Sequence, residues 1–168
     1  MYKKSWVAYG LLSALILLAD QVTKYLVMTQ MAVGTAKDII PHFFRVVSVR
    51  NAGIVFGLFS QGLAQNNQKV FIVFTIIAMG AIVVYSNRKK NTESSDFYPL
   101  ALILGGAAGN LLDRLIHGRV VDFLDFYIHG YHWPAFNIAD SGIVIGVSLL
   151  LLFQLFEEKR QKRASFDP

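Results

Sequence analysis

The chain has 168 residues, of which 54% are hydrophobic and 16% charged, and it carries a net charge of +5. Soluble globular chains carry roughly 25% charged residues, so a soluble domain fits poorly, and the length leaves room for one domain. Cysteine is absent, which excludes disulfides, thiolate metal sites and cysteine nucleophiles.

Residues 7–28 are free of charge except for Asp20 and Lys24. The apolar stretch is too long for a signal-peptide core, and no small-x-small cleavage site ends it, so a retained membrane helix is expected. The segment 29–68 follows as a long outer loop. Within it, HFFRVVSV at 42–49 is aromatic and β-branched and predicts a strand, while 58–68 predicts a short surface helix. Three further apolar stretches predict spans at 69–87, 96–114 and 138–157. The polar stretch 87–96 suits a tight hairpin. The loop 115–137 holds Phe123, Phe126, Tyr127, Tyr131, Trp133 and Phe136 and is expected to lie along the bilayer surface, where aromatic side chains concentrate. The expected fold is therefore an all-α membrane protein, one integral-membrane domain over 1–168. It has four transmembrane helices and a small extracytoplasmic β-rich cap.

The basic residues orient this bundle. Lys3, Lys4, Arg88, Lys89, Lys90, Lys159, Arg160, Lys162 and Arg163 crowd the two termini and the 87–96 loop. The positive-inside rule puts those segments in the cytoplasm and the loops 29–68 and 115–137 outside. The terminal run EEKRQKR then serves as a topology anchor, and no nucleic acid is expected as a partner.

Ionisable residues in or beside membrane spans are costly and tend to mark function. Asp20 and Lys24 share one helix face at i, i+4 and can pair, either as a packing device or as a contact for a substrate head group. Asn51 lies in VRNAGIVFG and reads as a turn residue or as a donor to an extended peptide or a lipid ester. The run Gly105–Gly109 in GGAAGNLLDR permits close helix approach. Asn110, Asp113 and Arg114 share a face at the end of the third span, with a local Asp113–Arg114 surface pair as the plainer reading. Asp122 and Asp125 follow that span, and Asp140 opens the fourth. Antiparallel neighbours bring acids from those two places to one depth. Two adjoining carboxylates cannot both ionise freely, and a pair sharing one proton can activate water. A helix N-cap is the alternative for Asp140, and a solvated loop acid for Asp122. Spacing alone does not choose between Asp122 and Asp125. No HExxH, GxSxG or phosphate-cradling glycine motif occurs. His117, His129 and His132 fall short of a convincing zinc pattern, so neither metal nor organic cofactor is expected.

With these blocks in order (DQVTK at 20–24, RNAGIVFG at 50–57, GGAAGNLLDR at 105–114, VVDFLDF at 120–126, FNIADS at 136–141), the chain resembles the bacterial type II signal peptidases, the lipoprotein signal peptidases. The resemblance implies a monomeric aspartic endopeptidase of the inner membrane with its site near the outer face. It implies a diacylglyceryl-modified prolipoprotein as substrate, cleaved before the lipidated cysteine, with membrane lipids around it. It implies that Asp122 and Asp140 are the catalytic pair, in preference to Asp125. Asp20, Lys24, Asn51, Gly106, Asn110, Asp113, Arg114 and Asn137 would bind substrate or shape the site. One departure stands out: Ile54 and Val55 occupy positions where the family usually has two small residues. Two other classes compete. A small proton-coupled transporter would use the intramembrane acids, although no inverted repeat is visible. A non-enzymatic assembly factor would use the cap to hold a partner.

Overall fold

A computed structural model describes residues 6–52, 64–88 and 96–164. In chain order these form α1 (Trp6–Gln30), β1 (Ala36–Ile40), β2 (Phe44–Asn51), α2 (Ala64–Arg88), α3 (Phe97–His117), β3 (Val120–Ile128), β4 (Tyr131–His132) and α4 (Ile138–Ala164). Four of the helices are long and apolar enough to cross a membrane. The expected turn 87–96 and the positions Ile54 and Val55 lie largely or wholly outside the described residues. So do 58–63 of the expected surface helix, whereas 64–68 belong to the start of α2.

The helices are built inside out relative to a soluble protein. On α1, Leu11, Leu15, Leu18 and Val22 are exposed, while Tyr9, Asp20, Lys24 and Val27 are buried. The apolar face is left for lipid and the polar face turns inward. Helix α3 is the central post, packing against α1, α4 and α2. Glycines make this possible. A Cβ on Gly106 would stand 2.3 Å from the Ala139 carbonyl oxygen of α4, and one on Gly109 would stand 2.6 Å from Oδ2 of Asp20 on α1. Any larger residue would hold the helices apart. At the end remote from the sheet, Tyr9, Phe97, Leu100 and Ala101 form an apolar cluster, with Trp6, Tyr9 and Phe97 in edge or tilted ring contacts.

The strands form an antiparallel sheet in the order β1-β2-β3-β4. It sits where α1 and α3 end and α4 begins. Gly118 closes α3 at φ +68°, its N–H donating to the Arg114 carbonyl at 3.1 Å. That left-handed residue stops the helix and turns the chain into β3. Val121 and Phe123 of β3 pack on Val27 of α1, locking sheet to bundle. The segment 115–137 thus differs from the surface loop expected. Its first half is a central, largely buried strand, because VVDFLDFYI is rich in β-formers. Its aromatics divide accordingly: Phe126 stacks on Phe44 and Phe136, while Tyr131 and Trp133 are exposed at the hairpin tip.

Candidate functional site

Where β3, α3 and the start of α4 meet, two carboxylates occupy opposite ends of an amide bridge. Asp122 is 3% exposed, on β3. Its Oδ1 accepts from Asn137 Nδ2 at 2.8 Å and its Oδ2 from Asn51 Nδ2 at 2.9 Å. Asn51 reaches it diagonally across the β2–β3 ladder, where Val49 is the direct partner of Asp122. Asp140 accepts from Asn110 Nδ2 at 2.7 Å through Oδ1. The bridge closes through Asn137 Nδ2, which also lies 3.2 Å from Asn110 Oδ1.

Local helix chemistry fixes Asp140. Asn137, not Asp140, is the N-cap of α4: its Oδ1 accepts the Asp140 N–H at 2.9 Å, and Asp140 Oδ2 reaches back to the Asn137 N–H at 3.3 Å. This is a capping box with Asp at the third helical position. The N–H of Ala139, one of the donors that a helix start leaves unpaired, donates to Asp20 Oδ1 at 2.9 Å.

Beneath the pair lies a buried ionic cluster. Lys24 Nζ is 2.7 Å from Asp20 Oδ2, 2.9 Å from Asp113 Oδ2 and 3.0 Å from Asn110 Oδ1. Asp113 Oδ2 also accepts the Val121 N–H at 3.0 Å. The surface Asp113–Arg114 pair considered from sequence does not form, because Asp113 is buried and its cation comes from α1. Arg114 donates instead to the Asn110 carbonyl at 3.1 Å and lies over the Phe71 ring. It remains within electrostatic reach of Asp140, Asp122 and Asp113. Gly106 takes part through the contact with Ala139 described above. Sequence reasoning missed Gln21, whose Nε2 donates to Asp20, to Asp113 and to the Gly109 carbonyl. An amide next to Asp20 in an otherwise apolar helix was its signal.

Asp125 stands apart. Three residues along a strand reverse the face, so Asp125 points away from Asp122. Arg45 Nε donates to it at 2.6 Å, and His132 Nδ1 lies 3.0 Å away.

Burial pushes the Asp122 carboxyl up to about 6, and the charge of Asp140 pushes the same way. The hydrogen bonds from Asn51 and Asn137 and the charge of Lys24 pull it partly back. A carboxyl set in this range beside a second acid can pass a proton in either direction near neutral pH. Among the described residues, no group of three or more His, Cys, Asp or Glu is placed to hold a metal ion.

A family model for signal peptidase (SPase) II matches residues 12–156. The chain is 42% identical over 156 residues to the lipoprotein signal peptidase of Solibacter usitatus, covering 93% of this chain and 94% of that one. It is 36% identical over 163 residues to the lipoprotein signal peptidase of Staphylococcus aureus (strain Newman), covering 96% and 97%. A bacterial membrane enzyme solved by the in meso method superposes with a TM-score of 0.83 at 35% identity, covering 95% of both chains. A second gives 0.81 at 36% identity, covering 92% of this chain and 97% of that one.

Proposed function

We propose that this chain, which belongs to the signal peptidase II family and is thus a multi-pass bacterial membrane peptidase, removes the signal peptide from diacylglyceryl-modified prolipoproteins with Asp122 and Asp140 as an aspartic dyad. Cleavage falls on the peptide bond before the lipidated cysteine. The carrying observation is the amide bridge: Asn110 and Asn137 tie two carboxylates from different elements into one unit, and burial raises one of them.

The chemistry follows from that unit. Asp122, buried and raised toward neutrality, holds the shared proton and donates to the scissile carbonyl oxygen. Asp140 keeps partial exposure and, in its ionised form, takes a proton from water as the water oxygen attacks the carbonyl carbon. The tetrahedral diol then collapses: the C–N bond breaks, the dyad delivers a proton to the leaving amine, and the proton balance is restored. Water attacks directly, without a covalent intermediate. Asn51, Asn110 and Arg114 hold substrate backbone or head group, and the lipid chain lies among the apolar helix faces. The basic clusters put both termini in the cytoplasm and the dyad near the outer face of the inner membrane. The protein acts as a monomer.

A gel-shift cleavage assay tests this. Purified protein in detergent is offered lipidated and unlipidated prolipoprotein, with Asp122→Asn and Asp140→Asn in parallel. Cleavage of the lipidated form alone, lost in both variants, is expected. Normal turnover by folded Asp122→Asn would show that the dyad assignment is wrong.

A further inference from the structure

We infer that Lys24 is a positioning residue: through Asp20 and Asp113 its buried ammonium holds the backbone N–H groups immediately before Asp140 and Asp122, and so sets the separation of the two carboxylates. The inference rests on the aspartic reading above and deepens it.

The geometry is symmetrical about Nζ. In one direction, Lys24 holds Asp20 at 2.7 Å, and Asp20 takes the N–H of Ala139, the residue before Asp140. In the other, Lys24 holds Asp113 at 2.9 Å, and Asp113 takes the N–H of Val121, the residue before Asp122. The third contact, to Asn110 Oδ1 at 3.0 Å, reaches the amide bridge itself. α1 thereby ties β3 to the first turn of α4, beside the backbone bridge that joins Phe123 and Leu124 to Phe136.

Two observations separate this role from the alternatives. An ammonium has three N–H donors, and three acceptors already take them, with Lys24 0% exposed. No donor is left for a substrate head group. Buried ion clusters, moreover, are poor sources of net stability, since desolvation offsets their attraction. A cluster whose carboxylates both end on backbone beside the dyad is better accounted for by geometry than by stability.

The test uses the full chain in detergent with lipidated prolipoprotein. Two variants are compared: Lys24→Met, and the neutral triple Asp20→Asn/Lys24→Met/Asp113→Asn. The triple leaves no uncompensated buried charge, and its amides can still accept both backbone N–H groups. Turnover is read as kcat and KM per folded molecule, well below the unfolding temperature. A misplacement on the order of 1 Å costs about 100-fold in rate. The expected result is a kcat fall of about 100-fold in the triple variant with KM little changed. In folded Lys24→Met, the limb of the pH profile set by the dyad moves to higher pH, because the lost cation favoured ionised Asp122. A folded triple variant with wild-type kcat overturns the inference. So does a triple variant that does not fold, since the cluster is then a requirement of the fold. Asp122→Asn runs alongside: turnover retained there defeats the aspartic reading itself, whatever Lys24 does.

Discussion

Replacing Gly106 by alanine sets two effects of known sign against each other. Inside a helix, alanine is favoured over glycine by about 1 kcal/mol. The added methyl, however, would lie 2.3 Å from the Ala139 carbonyl oxygen and 2.9 Å from Ile143 Cγ1. Contacts under 3.0 Å force something to shift, and the nearer atom is backbone. Overpacking of this kind costs about 1–3 kcal/mol, and an unyielding carbonyl places this case near the top of the range. The net expectation is a loss of about 2 kcal/mol, which lowers Tm by roughly 4–8 °C in a chain of this size. Function suffers more than stability. Ala139 adjoins Asp140, whose 2.7 Å bond to Asn110 is carried toward the edge of hydrogen-bond range as α4 backs away. Turnover is expected to drop about 10- to 100-fold. Gly80→Ala is the control, since a Cβ there meets nothing within 4 Å, and it should match wild type in turnover and equal or exceed it in Tm. Thermal unfolding in detergent and the gel-shift assay read both quantities. If Gly106→Ala behaves like Gly80→Ala, the close-contact reasoning is refuted.

Three further outcomes are expected. Asp140→Asn removes a negative charge that raises Asp122, so the Asp122 titration, followed by the infrared carboxyl stretch, should move to lower pH; no movement would mean that the two acids are not coupled. The folded protein retains the Asp122 proton from 3.8 up to about 6 where the unfolded chain has lost it. Stability therefore falls as pH rises through that window, by about 3 kcal/mol, and Asp122→Asn should flatten the dependence in detergent unfolding curves. Arg45→Met leaves the Asp125 carboxylate with His132 alone. It should cost about 1–2 kcal/mol while turnover per folded molecule stays near wild type, because Asp125 faces away from Asp122; a rate loss as large as that of Asp122→Asn would reopen the choice between them.

What the sequence could reveal depended on the range of each interaction. The pairing of Asp20 with Lys24 is local, four residues on one helix, and could be read from spacing. The second partner of Lys24 could not, since Asp113 lies on another helix and its neighbour Arg114 was the nearer candidate. Asp122 and Asp125 were indistinguishable until a strand register put them on opposite faces. That strand was hidden because its acids resembled a solvated loop, although Val120, Val121, Phe123 and Leu124 already favoured extended chain. The N-cap of α4, for which Asp140 stood as an alternative reading, could not be read from sequence for a similar reason. Asn137 and Asp140 are both good caps, and only the reciprocal bonds between them decide which one starts the helix.

The Lys24 cluster also bears on how the chain is put together. α1 precedes α3 and α4 in the chain, and it carries its own acid and base one turn apart. It can cross the bilayer as a neutral pair, at far less cost than either charge alone. α3 brings Asp113 into the same apolar layer, where its ion-pair partner is Lys24 of α1. The two helices therefore have an electrostatic reason to find each other before α4 arrives. The Ala139 N–H then meets an Asp20 already in place. Assembly in that order builds the floor beneath Asp122 and Asp140 ahead of the second carboxylate, so on the proposed aspartic reading a half-made chain would have no working pair of acids.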